Sequence, residues 1–126
     1  MKNREILFRG KREDGKGWVF GDLIQLNKDV FIYPLEPYYN TPELDFLDEC
    51  ERVIPETVGQ FTGLLDKEGN RIFEGDITKA KGVVFYDKTI ASFVIIYPKN
   101  PEIGYNKLSN DWIEIIGNIH DNTELI

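Results

Sequence analysis

The sequence holds one cysteine, one histidine and one methionine. Cys50 alone cannot form an internal disulfide, and Cys50 with His120 cannot supply a four-ligand zinc site of the usual thiolate and imidazole kind. No uninterrupted apolar run approaches the roughly 20 residues that a membrane-spanning helix needs. Basic charge is also scarce: 15 Lys and Arg against 22 Asp and Glu leave a formal net charge of −7. That balance discourages long-range attraction to nucleic acid or anionic lipid. Gly10, Gly15, Gly17 and Gly21 lack the spacing of a phosphate-cradling loop and read as turn and bulge glycines. Lys2, Arg4 and Glu5 follow Met1 without the apolar region of a signal peptide. The expectation is a cytoplasmic protein.

What is present suits a β-rich fold. The 126 residues fit one domain, aromatics reach 13%, and a hydrophobic content of 41% provides for a core. Ile6-Leu7-Phe8, Trp18-Val19-Phe20 continuing to Leu26, and Val30 to Tyr33 alternate with turn residues, which predicts a three-stranded antiparallel meander. Pro34, Pro37 and Pro42 then interrupt any ladder. Thr41-Pro42-Glu43 reads as a helix start, with Leu44 and Leu47 on one face of a helix over about 42–51; the alternative is an acidic loop.

Farther on, strands are expected at Val58 to Thr62, Ile72-Phe73, Val83 to Tyr86, Ala91 to Tyr97 and Trp112 to Ile116. Leu64 to Asn70 reads as a turn, Gly75 as a bulge or close approach inside a strand, and Pro98 to Asn110 as a long loop. Asp121 to Glu124 has capping-box spacing for a short C-terminal helical turn. Eight or nine short strands indicate an all-β barrel or roll with a minor helix. The division expected is an N-terminal β region over 1–57, with an acidic insert at about 34–52, and a small SH3-like barrel over 58–126.

Charge is unevenly spread. Lys2, Arg4, Arg9, Lys11, Arg12 and Lys16 concentrate near the start, and Glu36, Glu43, Asp45, Asp48, Glu49, Glu51 and Glu56 follow. Such asymmetry would orient subunits head to tail, or simply form two solvated faces.

Three blocks carry a family resemblance. The first is Arg4 to Gly10 with Trp18 and Gly21-Asp22-Leu23. The second is Gly59-Gln60-Phe61-Thr62-Gly63-Leu64 with Asp66, Gly69 and Ile72-Phe73-Glu74-Gly75-Asp76-Ile77. The third is Ile115 to Ile119 with Asn122, Glu124 and Leu125. In these blocks the chain resembles the YopX family of small phage and prophage proteins. Thr123 stands where proline is common, and Pro34 to Glu51 matches no pattern. The resemblance implies a β-rich protein with an SH3-type barrel in its C-terminal part, encoded by a phage or prophage. It implies no catalytic residues.

Several residues are candidate sites beside structural alternatives. Glu74 and Asp76, two apart in an expected strand, would share a face as an acid/base pair or half of a Mg²⁺ site. Alternatively, Asp76 binds turn amides and Glu74 pairs with a cation. Gln60 and Thr62 lie on one face with Phe61 on the other, to meet a ligand or a subunit, or only the next strand. His120 beside Asp121 reads as a general base or a capping residue, and Cys50 among acids as a poor nucleophile. Trp18, Phe20, Tyr33, Tyr38 and Tyr39 would stack bases with Arg9, Lys11 and Arg12 nearby, or fill core and interface.

No catalytic, cofactor or metal residue is assigned. The leading expectation is a non-enzymatic protein that works through protein–protein contacts as a homo-oligomer, with a host or phage protein as a further partner and no membrane. Gln60, Phe61, Thr62, Gly63, Glu74, Gly75 and Asp76 are its candidate interaction residues. A nucleic-acid-binding barrel using the basic N-terminal hairpin is the alternative. A carboxylate-dependent enzyme or metal-binding protein ranks behind both.

Overall fold

The computed structural model describes residues 4–35, 46–109 and 112–126. Two compact units divide the chain, Met1–Gln60 and Phe61–Ile126. All strand pairs are antiparallel, and the strands fall into two sheets with one short α-helix among the described residues. The all-β expectation with a minor helix therefore holds.

The first unit opens with the expected meander: β1 (Phe8–Lys11), β2 (Trp18–Leu26) and β3 (Asp29–Pro34). β1 starts later than expected, and Ile6 stays outside the ladder and exposed. The β1–β2 turn is organised by Asp14, whose carboxylate accepts the Lys16 N–H at 3.0 Å. Alternation along β2 sends Val19, Gly21 and Leu23 inward and Phe20 and Asp22 outward. Val19, Ile32 and Val53 form the core of this unit, lined by Phe8, Leu23, Val30 and Val58.

Gly10 and Gly21 are strand residues, not the turn or bulge glycines expected. The reason is proximity. A Cβ on Gly21 would stand 1.8 Å from the Tyr33 carbonyl oxygen, and one on Gly10 would stand 3.0 Å from Val53.

Of the helix expected over 42–51, residues 42–45 and the face shared by Leu44 and Leu47 lie outside what is described. α1 is Phe46–Glu49, a single turn, and β4 (Glu51–Arg52) follows and pairs with β3. The chain then bridges back to β1: Arg12 pairs with Val53, the Glu13 N–H donates to Arg52 O at 3.0 Å, and the Ile54 N–H donates to Lys11 O at 2.9 Å. Hydrogen bonds thus run from β1 through β2, β3 and β4 and return to β1. A 3₁₀ turn, Pro55–Thr57, bends the chain so that Gly59 and Gln60, the start of β5 (Gly59–Leu65), pair with Arg9 and Phe8.

In the second unit β5 continues through Leu65 and pairs with β6 (Arg71–Phe73) across an irregularity between Phe61 and Leu65. Leu64 and Leu65 are therefore strand residues rather than part of the turn. β7 (Asp76–Thr78), β8 (Val83–Asp87), β9 (Ser92–Ile96), β10 (Tyr105–Lys107) and β11 (Ile115–Asn118) form a sheet of order β10-β9-β8-β7-β11. Ile72, Val84, Ile95, Tyr97 and Ile113 make the core of this unit. Register places Val84 and Ile95 on one face of the sheet and Val83 and Val94 on the other, and all four are buried. The expected two-sided burial holds at the centre of β9, while Phe93 and Ile96 are only half-buried.

The stretch Pro98 to Asn110 is not one long loop: its described part holds a 3₁₀ turn, Pro101–Ile103, and the strand β10. That strand is made by its partner β9 and by the Asn106 amide donating to Tyr97 Oη at 2.9 Å. The last strand is Ile115–Asn118 rather than Trp112 to Ile116. Finally, the C-terminal turn is a 3₁₀ helix, Thr123–Leu125, without a side-chain cap. Asn122 instead accepts the Asn118 N–H at 3.1 Å. Eleven strands are described, more than the eight or nine expected.

Candidate functional site

Glu74 and Gly75 form the turn between β6 and β7, so Gly75 is not inside a strand. Its φ of 93° is the left-handed region that a residue with a Cβ enters only with strain. The turn is pinned at both ends of its peptide groups: the Gly75 N–H donates to Val84 O at 2.8 Å, and Gly75 O accepts from Ile119 N at 2.9 Å. The strand alternation from which a shared face of Glu74 and Asp76 was expected is absent, because Glu74 lies in the turn and Asp76 opens β7. Asp76 is 2% exposed and accepts the Phe73 N–H at 2.7 Å, while Glu74 is half-buried. Binding a turn amide is the role that the structural alternative gave Asp76.

Along β5 burial alternates as expected, with Gln60 and Thr62 half-buried and Phe61 inward. The Thr62 hydroxyl donates to Ile72 O at 2.8 Å and accepts the Leu64 N–H at 3.2 Å. Gly63, at φ 92°, lies in the irregular part of the β5–β6 pairing. Phe61 packs on Phe73 with ring centroids 5.7 Å apart, and the Arg71 guanidinium stands 5.8 Å from the Phe61 centroid. Thr62, Phe61 and Asp76 thus serve the β5–β6–β7 segment itself.

Two further family residues act as hubs for backbone amides. Asp66 is 4% exposed and accepts from Glu68 N and Asn70 N, both at 2.9 Å, and from Ile115 N at 3.1 Å. Burial alone raises the pKa of this carboxyl, but the N–H donors of Asn70, Ile115 and Glu68 overcome it and hold the group below the ordinary aspartate value. Asn118 plays a similar part with its side-chain oxygen, which accepts from His120 N at 2.9 Å and Asp121 N at 3.0 Å. The Asp-x-Glu-Gly-Asn and Asn-x-x-Asp runs carry that turn chemistry in the sequence. The link from Asp66 to Ile115 has no local signal.

The basic hairpin is internally compensated. The Arg9 guanidinium lies 4.9 Å from the Trp18 ring centroid, and Arg9 is 7% exposed. Arg12 meets Asp14 at 2.7 Å and Glu51 at 3.2 Å, and Arg52 meets Asp29 at 2.7 Å and Glu13 at 3.8 Å. The Arg12–Glu51 pair joins the basic start to the acidic stretch within one unit, which removes that charge from the head-to-tail argument. Tyr33 donates its hydroxyl to Glu49 at 2.9 Å, and that bond first of all raises the Tyr33 pKa. Phe20 is exposed on the outer side of β2, whereas Tyr38 and Tyr39 lie outside the described residues.

Burial pushes the Cys50 thiol up, and Glu49 and Glu51 add to the effect. The acids around Cys50 predict the direction, while the leading cause is burial. His120 sits half-buried in the turn after β11.

Among the described residues no three His, Cys, Asp or Glu side chains stand together as metal ligands, and no helix is long and apolar enough to cross a membrane. Most family positions with a described side-chain bond are therefore occupied in fixing turns. No curated protein matches the chain. The family model described as YopX protein matches residues 7–126, and the chain belongs to the YopX family.

Proposed function

We propose that this chain is a phage- or prophage-encoded accessory protein of the bacterial cytoplasm that carries out no reaction of its own and works through protein–protein contacts as a homo-oligomer, with a host or phage protein as a further partner. The observation that carries this reading is the exposed apolar side chains at the margins of β8 to β10. Cross-strand register places Phe85, Val94, Ile96 and Tyr105 on one face, where Val94 is buried at the centre while Phe85 and Tyr105 are 45% and 52% exposed. Ile90 in the β8–β9 turn is exposed as well. Apolar exposure concentrated on neighbouring strands is typical of contact surfaces. On architecture, the reading keeps an SH3-type small barrel for the C-terminal part, and the returning hydrogen bonds of β1 to β4 favour a barrel in the first unit too.

Size-exclusion chromatography with light scattering tests the reading. Assembly is expected at micromolar concentration. A strict monomer at high concentration, with no host partner retained, overturns it.

A nucleic-acid-binding barrel is the second reading, favoured by exposed Phe20 directly across from Arg9 in the β1–β2 ladder. It ranks lower because Arg9 already faces Trp18 and Arg12 is paired with acids. Titration with single-stranded and duplex oligonucleotides at low salt decides it, since the phosphate contribution is strongest there. A carboxylate-dependent enzyme or metal-binding protein built on Glu74 and Asp76 ranks last, because Asp76 is buried and accepts the Phe73 N–H, and among the described residues no third ligand stands with the pair.

A further inference from the structure

Strand β10 ends its sheet, and among the described residues no strand pairs with its outer side. We propose that this edge is the subunit contact, where β10 of a second copy adds antiparallel about a two-fold axis through Asn106. The proposal rests on the homo-oligomer reading and names the surface that serves it.

The register follows from length. β10 has three residues, Tyr105, Asn106 and Lys107, so only pairing centred on Asn106 engages all of them. Antiparallel strand addition satisfies the outward backbone groups of both copies. In this register each Tyr105 lies opposite Lys107 of the second copy, twice over by symmetry.

Side-chain chemistry suits that pairing. A lysine on a short edge strand ordinarily guards it against a neutral neighbour. Here each lysine meets an aromatic ring, which its stem covers and its ammonium attracts. Parallel addition in register would instead set Lys107 beside Lys107. Tyr105 and Ile103 are exposed beside the edge and add apolar area to the contact.

Analytical ultracentrifugation of the full chain and of two variants tests the proposal. The natural chain is expected to dimerise. Tyr105→Lys sets lysine against lysine on both sides of the axis and should weaken the dimer about tenfold or more. Adding Lys107→Glu to that variant places lysine opposite glutamate and should restore affinity to within about threefold of the natural chain. Both side chains are exposed, and thermal melts confirm that the variants stay folded. A natural chain that assembles equally well in all three forms overturns the edge contact and leaves the homo-oligomer reading intact. A weakened single variant that the second change fails to rescue also overturns the register. A natural chain that is monomeric throughout overturns both.

Discussion

Asp66 and Ile115 are joined by a hydrogen bond of 3.1 Å across a sequence separation of 49 residues. One carboxylate therefore shapes the turn at Glu68 to Asn70 and holds the start of β11. Asp66→Ala leaves the amides of Glu68, Asn70 and Ile115 without this acceptor and should cost about 3 kcal/mol or more. Urea unfolding of the variant checks the figure.

The same group predicts a pH dependence. Its folded pKa is depressed, so its contribution is fully present above the unfolded aspartate value of about 3.9 and fades as pH falls through the lower folded value. Unfolding midpoints measured downward from pH 6 should show a steep loss below about pH 4. Asp66→Asn should flatten that part of the profile.

Thr57 accepts the Lys11 N–H at 2.8 Å and donates to Ile54 O at 2.6 Å. Thr57→Val should destabilise the protein by about 1–2 kcal/mol, because the Lys11 amide loses its acceptor. Thr57→Ser keeps both bonds and should recover most of the loss. Chemical denaturation of the pair separates hydrogen bonding from shape.

Gly21→Ala drives a methyl into the Tyr33 carbonyl, and backbone cannot yield as a side-chain tip can. The expected cost exceeds about 3 kcal/mol, and a low yield of folded protein together with a lowered melting midpoint is the outcome to look for.

Asp76→Ala should cost about 1–3 kcal/mol, because the Phe73 amide loses this acceptor. Millimolar Mg²⁺ should leave the melting midpoint of both forms unchanged. A Mg²⁺-dependent rise in the natural chain that the variant loses would favour a carboxylate metal site instead.

The β1–β2–β3 meander was legible because its signals are local: alternation from Trp18 to Leu26 and turn residues at Asp14-Gly15 and Asn27-Lys28. β10 was not legible. Pro98, Pro101 and Gly104 suppress strand character around it, and its pairing with β9 supplies what its own residues lack. Gly75 misled for a related reason, since a glycine inside an apolar pattern suits a bulge or a tight turn equally, and only contacts with Val84 and Ile119 choose between them. The bridge from Val53 to Arg12 joins positions with no shared local pattern. At the candidate site the residue types were legible, and the polarity of Asp76 even suggested its amide partner. That Glu74 lies in a turn rather than a strand depended on contacts that the local sequence does not carry.

The ladder between β3 and β4 fixes both ends of the segment that joins them, and the return of β4 to β1 holds those ends a second time. Closure entropy grows with the logarithm of length, about 0.6 kcal/mol for each doubling. The closure term is therefore only weakly sensitive to the number of residues that join the two strands.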